Sequence, residues 1–298
     1  MKLLITTQQN VYRLTPYSKK VIYQHLFFMK NLIVVIMVSL FTITTQAQNS
    51  ISYNRPHQDR KTAYLLADRV NIRAKASPKA TVIAQLPIGK KVKILSTRVG
   101  ESLTINGYKQ KWCKVEFKDN QKIKRGFVWA GLLSLIAIKK EEQFLFGVEK
   151  IVSKKFMNDY MVQLRAAKNG KELDKIVFKA IGDDANYLNY KITDGKGLKN
   201  VKNIIKISFS ADICDYPNGS AYIFWTGKQF IMAGDDDRMQ PSVGCFYDNI
   251  ELVFPTDKGG KSGKMIAVRT YHDEEENENS KPKVTKTVFH WDGKQMKR

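Results

Sequence analysis

Short runs in which apolar and polar residues alternate recur along the chain from Tyr64 onward. The first five are RVNIRA, TVIAQL, KVKILST, WCKVEF and RGFVWA, and they are separated by Gly, Pro, Asn and Ser. A period of two places one face of an extended segment on a core, and these runs are rich in Val and Ile, so they predict β-strands. Five such strands within residues 62–138 predict a small β-barrel.

The same pattern continues beyond KKEE, Lys139–Glu142, a charge cluster that interrupts two strand-like runs and predicts a domain boundary. Asn169-Gly170 stands between two alternating segments and predicts a tight hairpin, because both residues adopt positive φ readily. No amphipathic helix of ten or more residues is visible. Residues 139–298 therefore predict an antiparallel β-rich domain, as a sandwich or an open sheet, and the whole protein is predicted to be mainly β.

An aromatic turn motif occurs twice in the sequence, as FWTGKQF at residues 224–230 and as HWDGKQM at residues 290–296. Each copy predicts a hairpin with a two-residue Thr-Gly or Asp-Gly turn, in which Trp225 or Trp291 packs across the strand pair. This structural interpretation needs no ligand for either tryptophan. Two copies are too few for a closed β-propeller.

The segment MKNLIVVIMVSLFTITTQAQ, residues 29–48, has the features of a signal peptide. Lys30 precedes an apolar run of the length of a signal h-region, and Thr45 and Ala47 supply the small residues of a cleavage site after Ala47. We therefore expect residues 1–47 to be removed and the protein to be exported, periplasmic or secreted, with no stable membrane span afterwards. Residues 1–28 either extend the signal or precede a true start at Met29. Residues 48–61, polar and without periodicity, are predicted to be a linker.

The charge is strongly basic, with 50 Lys and Arg against 28 Asp and Glu, or +22. Five of the basic residues and none of the acidic ones precede residue 48, so the predicted mature chain carries +17. Such a surface attracts polyanions. The lysines are scattered and no nucleic-acid motif is present, so the expected partner is a cell-wall polymer or an envelope protein rather than a specific nucleic acid.

Three segments in order resemble the bacterial SH3-like family called SH3b. They are VNIRAKASPKATVIAQLPIGKKVKIL from Val70, KWCKVEF from Lys111, and RGFVWAGLL from Arg125. Two features depart from the family pattern: Ala76 replaces the usual glycine before the Ser-Pro turn, and TRVGESLTINGYKQK lengthens the loop before Trp112.

The resemblance implies a small barrel whose ligands, glycan or peptide of the cell wall, lie along exposed aromatic residues between loops. The residues that could line such a groove are Tyr64, Tyr108, Trp112 and Trp129. Strand positions favour core or half-core placement for the two tryptophans, and Tyr108, in the long loop, is expected to be the exposed one.

SH3b modules often accompany cell-wall peptidases with a Cys nucleophile and a His base, so the resemblance raises catalysis as an alternative. Cys214 leads into a hairpin turn rather than a helix start, and His272 begins an acidic loop, so neither context favours the pair. No zinc-ligand or calcium-loop spacing is present, and neither a metal nor another cofactor is expected. Cys214 and Cys245 can form a disulfide in an exported chain, whereas Cys113 is expected in a core.

The sequence thus predicts a non-enzymatic binding or scaffold protein of the bacterial envelope, which binds cell-wall glycan or peptide through its SH3-like domain. A protein–protein interaction module is the alternative. A Cys-His cell-wall peptidase is the less favoured one.

Overall fold

The computed structural model describes residue 53 and residues 56–155, 158–181, 187–210, 219–233, 247–272 and 281–297. All of them belong to one compact unit, Asn49–Arg298. The predicted signal peptide, Cys214 and Cys245 lie outside the described residues, as does the side chain of His272. No helix in the described ranges is long and apolar enough to cross a membrane.

The first sheet is a curled half-barrel of six antiparallel strands. In sheet order β1-β4-β5-β6-β2-β3, the strands are β1 (Thr62–Tyr64), β4 (Lys91–Ile105), β5 (Tyr108–Asp119), β6 (Lys122–Trp129), β2 (Val70–Arg73) and β3 (Val82–Leu86). Their concave side buries a core that includes Ile72, Val115 and Val128, as the alternation predicts. A 3-10 turn, Ala130–Leu132, ends this part of the chain.

The prediction of a lengthened loop before Trp112 is wrong, because the chain there forms a long hairpin of β4 and β5. Asn106 and Gly107 make its turn with φ of 50° and 76°, the left-handed conformation that suits a two-residue hairpin. The Asn-Gly signal was present in the sequence, but the polar residues around it hid two strands that are exposed on one face.

Three further sheets follow, each made of four consecutive antiparallel strands. The first has β7 (Ile136–Lys139), β8 (Gln143–Val152), β9 (Asp159–Lys168) and β10 (Lys171–Lys179); the second has β11 (Tyr187–Asp194), β12 (Asn203–Ser210), β13 (Gly219–Trp225) and β14 (Phe230–Ala233); the third has β15 (Tyr247–Val253), β16 (Lys264–His272), β17 (Lys283–Trp291) and β18 (Met296–Lys297). The mainly β, antiparallel prediction is confirmed.

The three sheets stack face to face, as two neighbouring residues of β13 show. Trp225 packs against Phe144 of β8, with ring centroids 5.8 Å apart, whereas Phe224 packs against Trp291 of β17 at 5.1 Å. Because successive side chains of a strand point to opposite faces, the second sheet is covered on both sides. One core cluster joins the first and second of these sheets and another joins the second and third.

The repeated aromatic turn connects the third and fourth strands of the second and third four-stranded sheets. Both tryptophans are buried, in agreement with the prediction that they have a structural role. The predicted two-residue turn, however, is wrong. Trp225 pairs with Phe230, so four residues reverse the chain, and the Thr226 hydroxyl accepts bonds from the backbone N–H groups of Lys228 and Gln229. Asp292 does the same for Lys294 and Gln295. Asn169-Gly170 occupies the same place in the first four-stranded sheet, as a two-residue turn.

The KKEE cluster lies at the end of β7 and in the three-residue turn to β8, two strands that pair with each other. Core residues of the half-barrel and of the next sheet also share one cluster across this point. The predicted domain limits stay predictions, but the contacts show that the half-barrel and the sheet of β7–β10 are packed together.

Candidate functional site

The four aromatic residues predicted to bind ligand lie at the junction of the half-barrel with the next sheet. Tyr64 is half-buried, and Tyr108, Trp112 and Trp129 are 3%, 3% and 6% exposed. The prediction that Tyr108 is exposed is wrong, because Tyr108 is the first residue of β5, a strand that contacts β8. Tyr108, Trp112 and Trp129 are therefore brought together in one core cluster, whereas Tyr64 packs against another, and the four rings do not form an open groove.

Tyr53, in the segment predicted to be a linker, fills the space beside Tyr108. Its ring is fully buried and stacks on Tyr160 of β9, with centroids 4.8 Å apart and planes 19° from parallel. Its carbonyl oxygen accepts bonds from the Tyr108 hydroxyl at 2.8 Å and from the Gln110 amide at 3.0 Å. We call Tyr108, Gln110 and Tyr160 the socket, and Tyr53 with residues 56–60 the arm.

Tyr108 is also fixed by an aromatic contact with Trp129. The Trp129 ring meets it edge to face, with centroids 5.8 Å apart, and the Trp129 indole N–H donates to the carbonyl oxygens of Leu103 and Gln110 at 3.0 and 3.2 Å. Burial raises the pKa of Tyr108 and of Tyr53 well above the ordinary value, so both hydroxyl groups stay protonated. The socket therefore presents two fixed neutral donors and a stacking ring.

The arm also buries His57, whose ring lies close to the backbone groups of Ala130 and Leu133. Burial, with the charge of Arg60 acting in the same direction, lowers the pKa of His57 to about 3, and the backbone groups of Ala130 and Leu133 oppose this only in part. The ring is therefore neutral near pH 7.

A basic cleft of about 160 Å³ lies between the arm and the β4–β5 hairpin. Arg98, Lys109 and Lys111 line it, together with Pro56, Gln58, Thr97, Ser102, Gln110, Cys113 and Ala130. No acidic residue belongs to this lining, and within the described ranges none of the three cations forms an ion pair. The cleft can accept an anionic group and offer it hydroxyl and amide donors.

Irregular pairing of β4 shapes this cleft. The register between β4 and β5 shifts on both sides of Val99, and Arg98 and Gly100 have φ of 59° and 66°. A Cβ at Gly100 would lie 2.9 Å from the Cβ of Ala76, so the bulged strand passes directly over the turn that departs from the SH3b pattern. Bulges of this kind re-aim side chains, and here Arg98 lines the same cleft as the lysines of β5.

Cys113 lines the same cleft but is almost fully buried. Burial raises the pKa of its thiol to about 12. The thiol is therefore protonated at neutral pH, and this favours the core role expected for Cys113.

A second cleft, of about 390 Å³, lies where the turn after β3 meets the β7–β8 and β9–β10 turns. Here acids and bases are already paired: Lys168 and Lys202 donate to Glu141 at 2.7 and 2.6 Å, and Lys202 also donates to Glu142 at 2.7 Å. These bonds lower the pKa of Glu141 to about 2. The basic cleft is thus the better anion site of the two.

Sequence reasoning missed the socket residues Gln110 and Tyr160, the arm and the three cations of the basic cleft. Tyr53 had one signal, since it is the single aromatic residue in the polar segment 49–61. No sequence signal marked the three cations of the basic cleft, because lysines and arginines are scattered along the whole chain. Among the described residues, no group of three or more His, Cys, Asp or Glu stands where a metal ion could bind.

Comparison with known proteins finds no match among curated proteins and none among solved structures. A match to a protein family does exist, and it covers β2 to β6 with the 3-10 turn. Residues 68–134 match the bacterial SH3 domain family, and the chain therefore carries a bacterial SH3 domain in its half-barrel.

Proposed function

We propose that the protein is an exported, non-enzymatic binding protein of the bacterial envelope that takes up an anionic group of a cell-wall polymer in the basic cleft. The observation that carries the proposal is the set of three cations without a carboxylate in one cleft. The three cations lie within the bacterial SH3 domain, a type of binding module often associated with cell walls.

Electrostatics support the choice of ligand. The predicted mature charge of +17 attracts a polyanion over a long range, and the unpaired Arg98, Lys109 and Lys111 supply contacts at short range. Such binding weakens as salt rises, because exposed charges are screened within about 10 Å at 0.1 M salt. The buried aromatic residues contribute by holding the hairpin in place, not by contact with the polymer.

Co-sedimentation with insoluble cell-wall material tests this proposal. We expect binding at low salt that falls steeply at high salt and that falls roughly tenfold when Arg98, Lys109 and Lys111 are all changed to Gln, since each exposed charge contact contributes up to about 1 kcal/mol.

The matched control changes Lys75, Lys79 and Lys118 to Gln, three exposed lysines of the same domain outside the cleft. This variant loses the same net charge and should keep most of the binding. Equal losses in the two variants would mean that only the total charge matters, and absence of co-sedimentation at low salt would reject the cell-wall ligand.

A further inference from the structure

The socket has the components of a peptide-recognition site, although it is filled by the chain itself. It stacks an aromatic ring on Tyr160 and gives the carbonyl of the same residue two hydrogen bonds, from Tyr108 and Gln110. Recognition of a side chain together with its own main chain is how proteins read extended peptide segments.

The arm fits this socket imperfectly. The Tyr53 hydroxyl is buried and, among the described residues, has no hydrogen-bond partner. His57 also has a φ of 68°, a conformation unfavourable for a residue with a side chain. The buried unpaired hydroxyl of Tyr53 opposes docking of the arm, so a ligand without it can compete with the arm.

The path of the arm leads from the socket to the basic cleft. Tyr53 occupies the socket, and Pro56 and Gln58, three and five residues later, form one wall of the cleft opposite Arg98, Lys109 and Lys111. Neither Pro56 nor Gln58 brings a negative charge to these cations. A peptide on the same path would place its residues at these two spacings beside three unpaired positive charges.

We propose that the socket and the basic cleft together form a binding site for an acidic peptide segment of a partner protein, with the arm as its resident intramolecular ligand. The segment carries phenylalanine in the socket and Asp or Glu three and five residues after it. Phenylalanine keeps the stacking on Tyr160 and omits the unpaired hydroxyl, and the carboxylates pair with the cations that the arm leaves free. This site shares the basic cleft with the cell-wall ligand proposed above, but it also requires the socket, which that ligand does not use.

The test uses the full chain with Tyr53→Ala, which empties the socket, and three fluorescein-labelled peptides. The first has the sequence of residues 49–60; the second has the same sequence with Tyr53→Phe, Pro56→Glu and Gln58→Glu; the third is the second with alanine in place of the phenylalanine. In fluorescence anisotropy, we expect the second peptide to bind roughly tenfold more tightly than the first, from two charge pairs and the removed hydroxyl, and the third to bind at least tenfold more weakly than the second.

Matched variants locate the site on the protein. In the Tyr53→Ala background, Gln110→Ala should weaken the second peptide roughly fivefold, by one hydrogen bond, whereas Gln85→Ala, which removes an exposed amide elsewhere in the domain, should not. Lys109→Gln with Lys111→Gln should abolish the advantage of the second peptide over the first, and Lys75→Gln with Lys79→Gln should preserve it.

A second measurement covers the case in which Tyr53→Ala fails to fold. In the wild-type chain, excess second peptide should displace the arm and accelerate hydrogen exchange of the backbone amides of residues 57–60, and the third peptide should not. Equal affinities of the three peptides, or unchanged exchange, would overturn the proposal. Co-sedimentation with cell-wall material uses the chain with its arm in place, so the two proposals can fail separately.

Discussion

At the scale of single residues, Tyr53 and Tyr108 show opposite consequences of burying a phenol. The Tyr108 hydroxyl donates to the Tyr53 carbonyl at 2.8 Å, whereas the Tyr53 hydroxyl is equally buried and has no partner. A buried hydrogen bond stabilises a fold by about 1 kcal/mol, while a buried unpaired hydroxyl destabilises it by about 1–3 kcal/mol. Removal of the hydroxyl oxygen should therefore change the stability of the fold in opposite directions at the two tyrosines.

We predict that Tyr53→Phe raises the free energy of unfolding by about 1 kcal/mol, because it removes the unpaired hydroxyl and keeps the stacking on Tyr160. Tyr108→Phe, the matched change, should lower it by a similar amount. Urea denaturation of the three proteins measures both effects. A loss of stability in Tyr53→Phe would mean that the hydroxyl has a partner after all.

At the scale of elements, the turn of the β4–β5 hairpin docks closely on β8. The Ile151 amide donates to the Asn106 carbonyl at 2.9 Å, and a Cβ at Gly107 would overlap the Ile151 carbonyl oxygen. This approach anchors the tip of the hairpin that carries Tyr108, Lys109 and Lys111. Glycine is needed at position 107 for two reasons, its φ of 76° and the nearness of the Ile151 backbone.

We predict that Gly107→Ala lowers the free energy of unfolding by more than the roughly 1–2 kcal/mol that a left-handed conformation costs an L-residue. The control is Gly259→Ala, which has a similar φ of 83° but no atom within 4 Å of the added Cβ. Its destabilisation should be the smaller of the two in thermal or urea unfolding. Equal effects would show that the approach to Ile151 carries no energetic weight.

At the scale of the whole molecule, one core joins the SH3 domain to the sheets behind it. Trp112 and Trp129 of the domain, Phe144 of β8 and Trp225 of β13 belong to the same cluster, whereas Trp291 of β17 belongs to another. The described part of the chain is therefore packed as a continuous series of sheets. A change in the middle of this series should reach the SH3 domain.

We predict that Trp225→Ala lowers the free energy of unfolding by about 3–5 kcal/mol, the usual cost of truncating a buried large aromatic residue. It should also accelerate hydrogen exchange in β5 as well as in β12. Trp291→Ala leaves a cavity of the same kind in the other cluster and should spare β5. Exchange that rises only within β11–β14 after Trp225→Ala would contradict a shared core.

The sequence by itself determined the local structure of this protein. Alternation of apolar and polar residues identified most of the strands, and Asn169-Gly170 marked its hairpin correctly, because strand periodicity and positive φ depend on neighbouring residues. The three SH3b segments likewise identified the domain that residues 68–134 form. The length of the β4–β5 hairpin was missed because its outward face is polar.

Only the tertiary structure decided which faces are buried and what lies against them. A period of two says that one face of a strand is covered but not by which partner, so the pattern could not place Tyr108 beneath Tyr53 or bury His57 in a polar segment. The candidate site also depends on tertiary contacts that the sequence pattern does not specify. Arg98 lies eleven residues before Lys109 in the sequence, and the two line one cleft, together with Pro56 and Gln58 of the arm, because the bulged strand β4 folds back on β5.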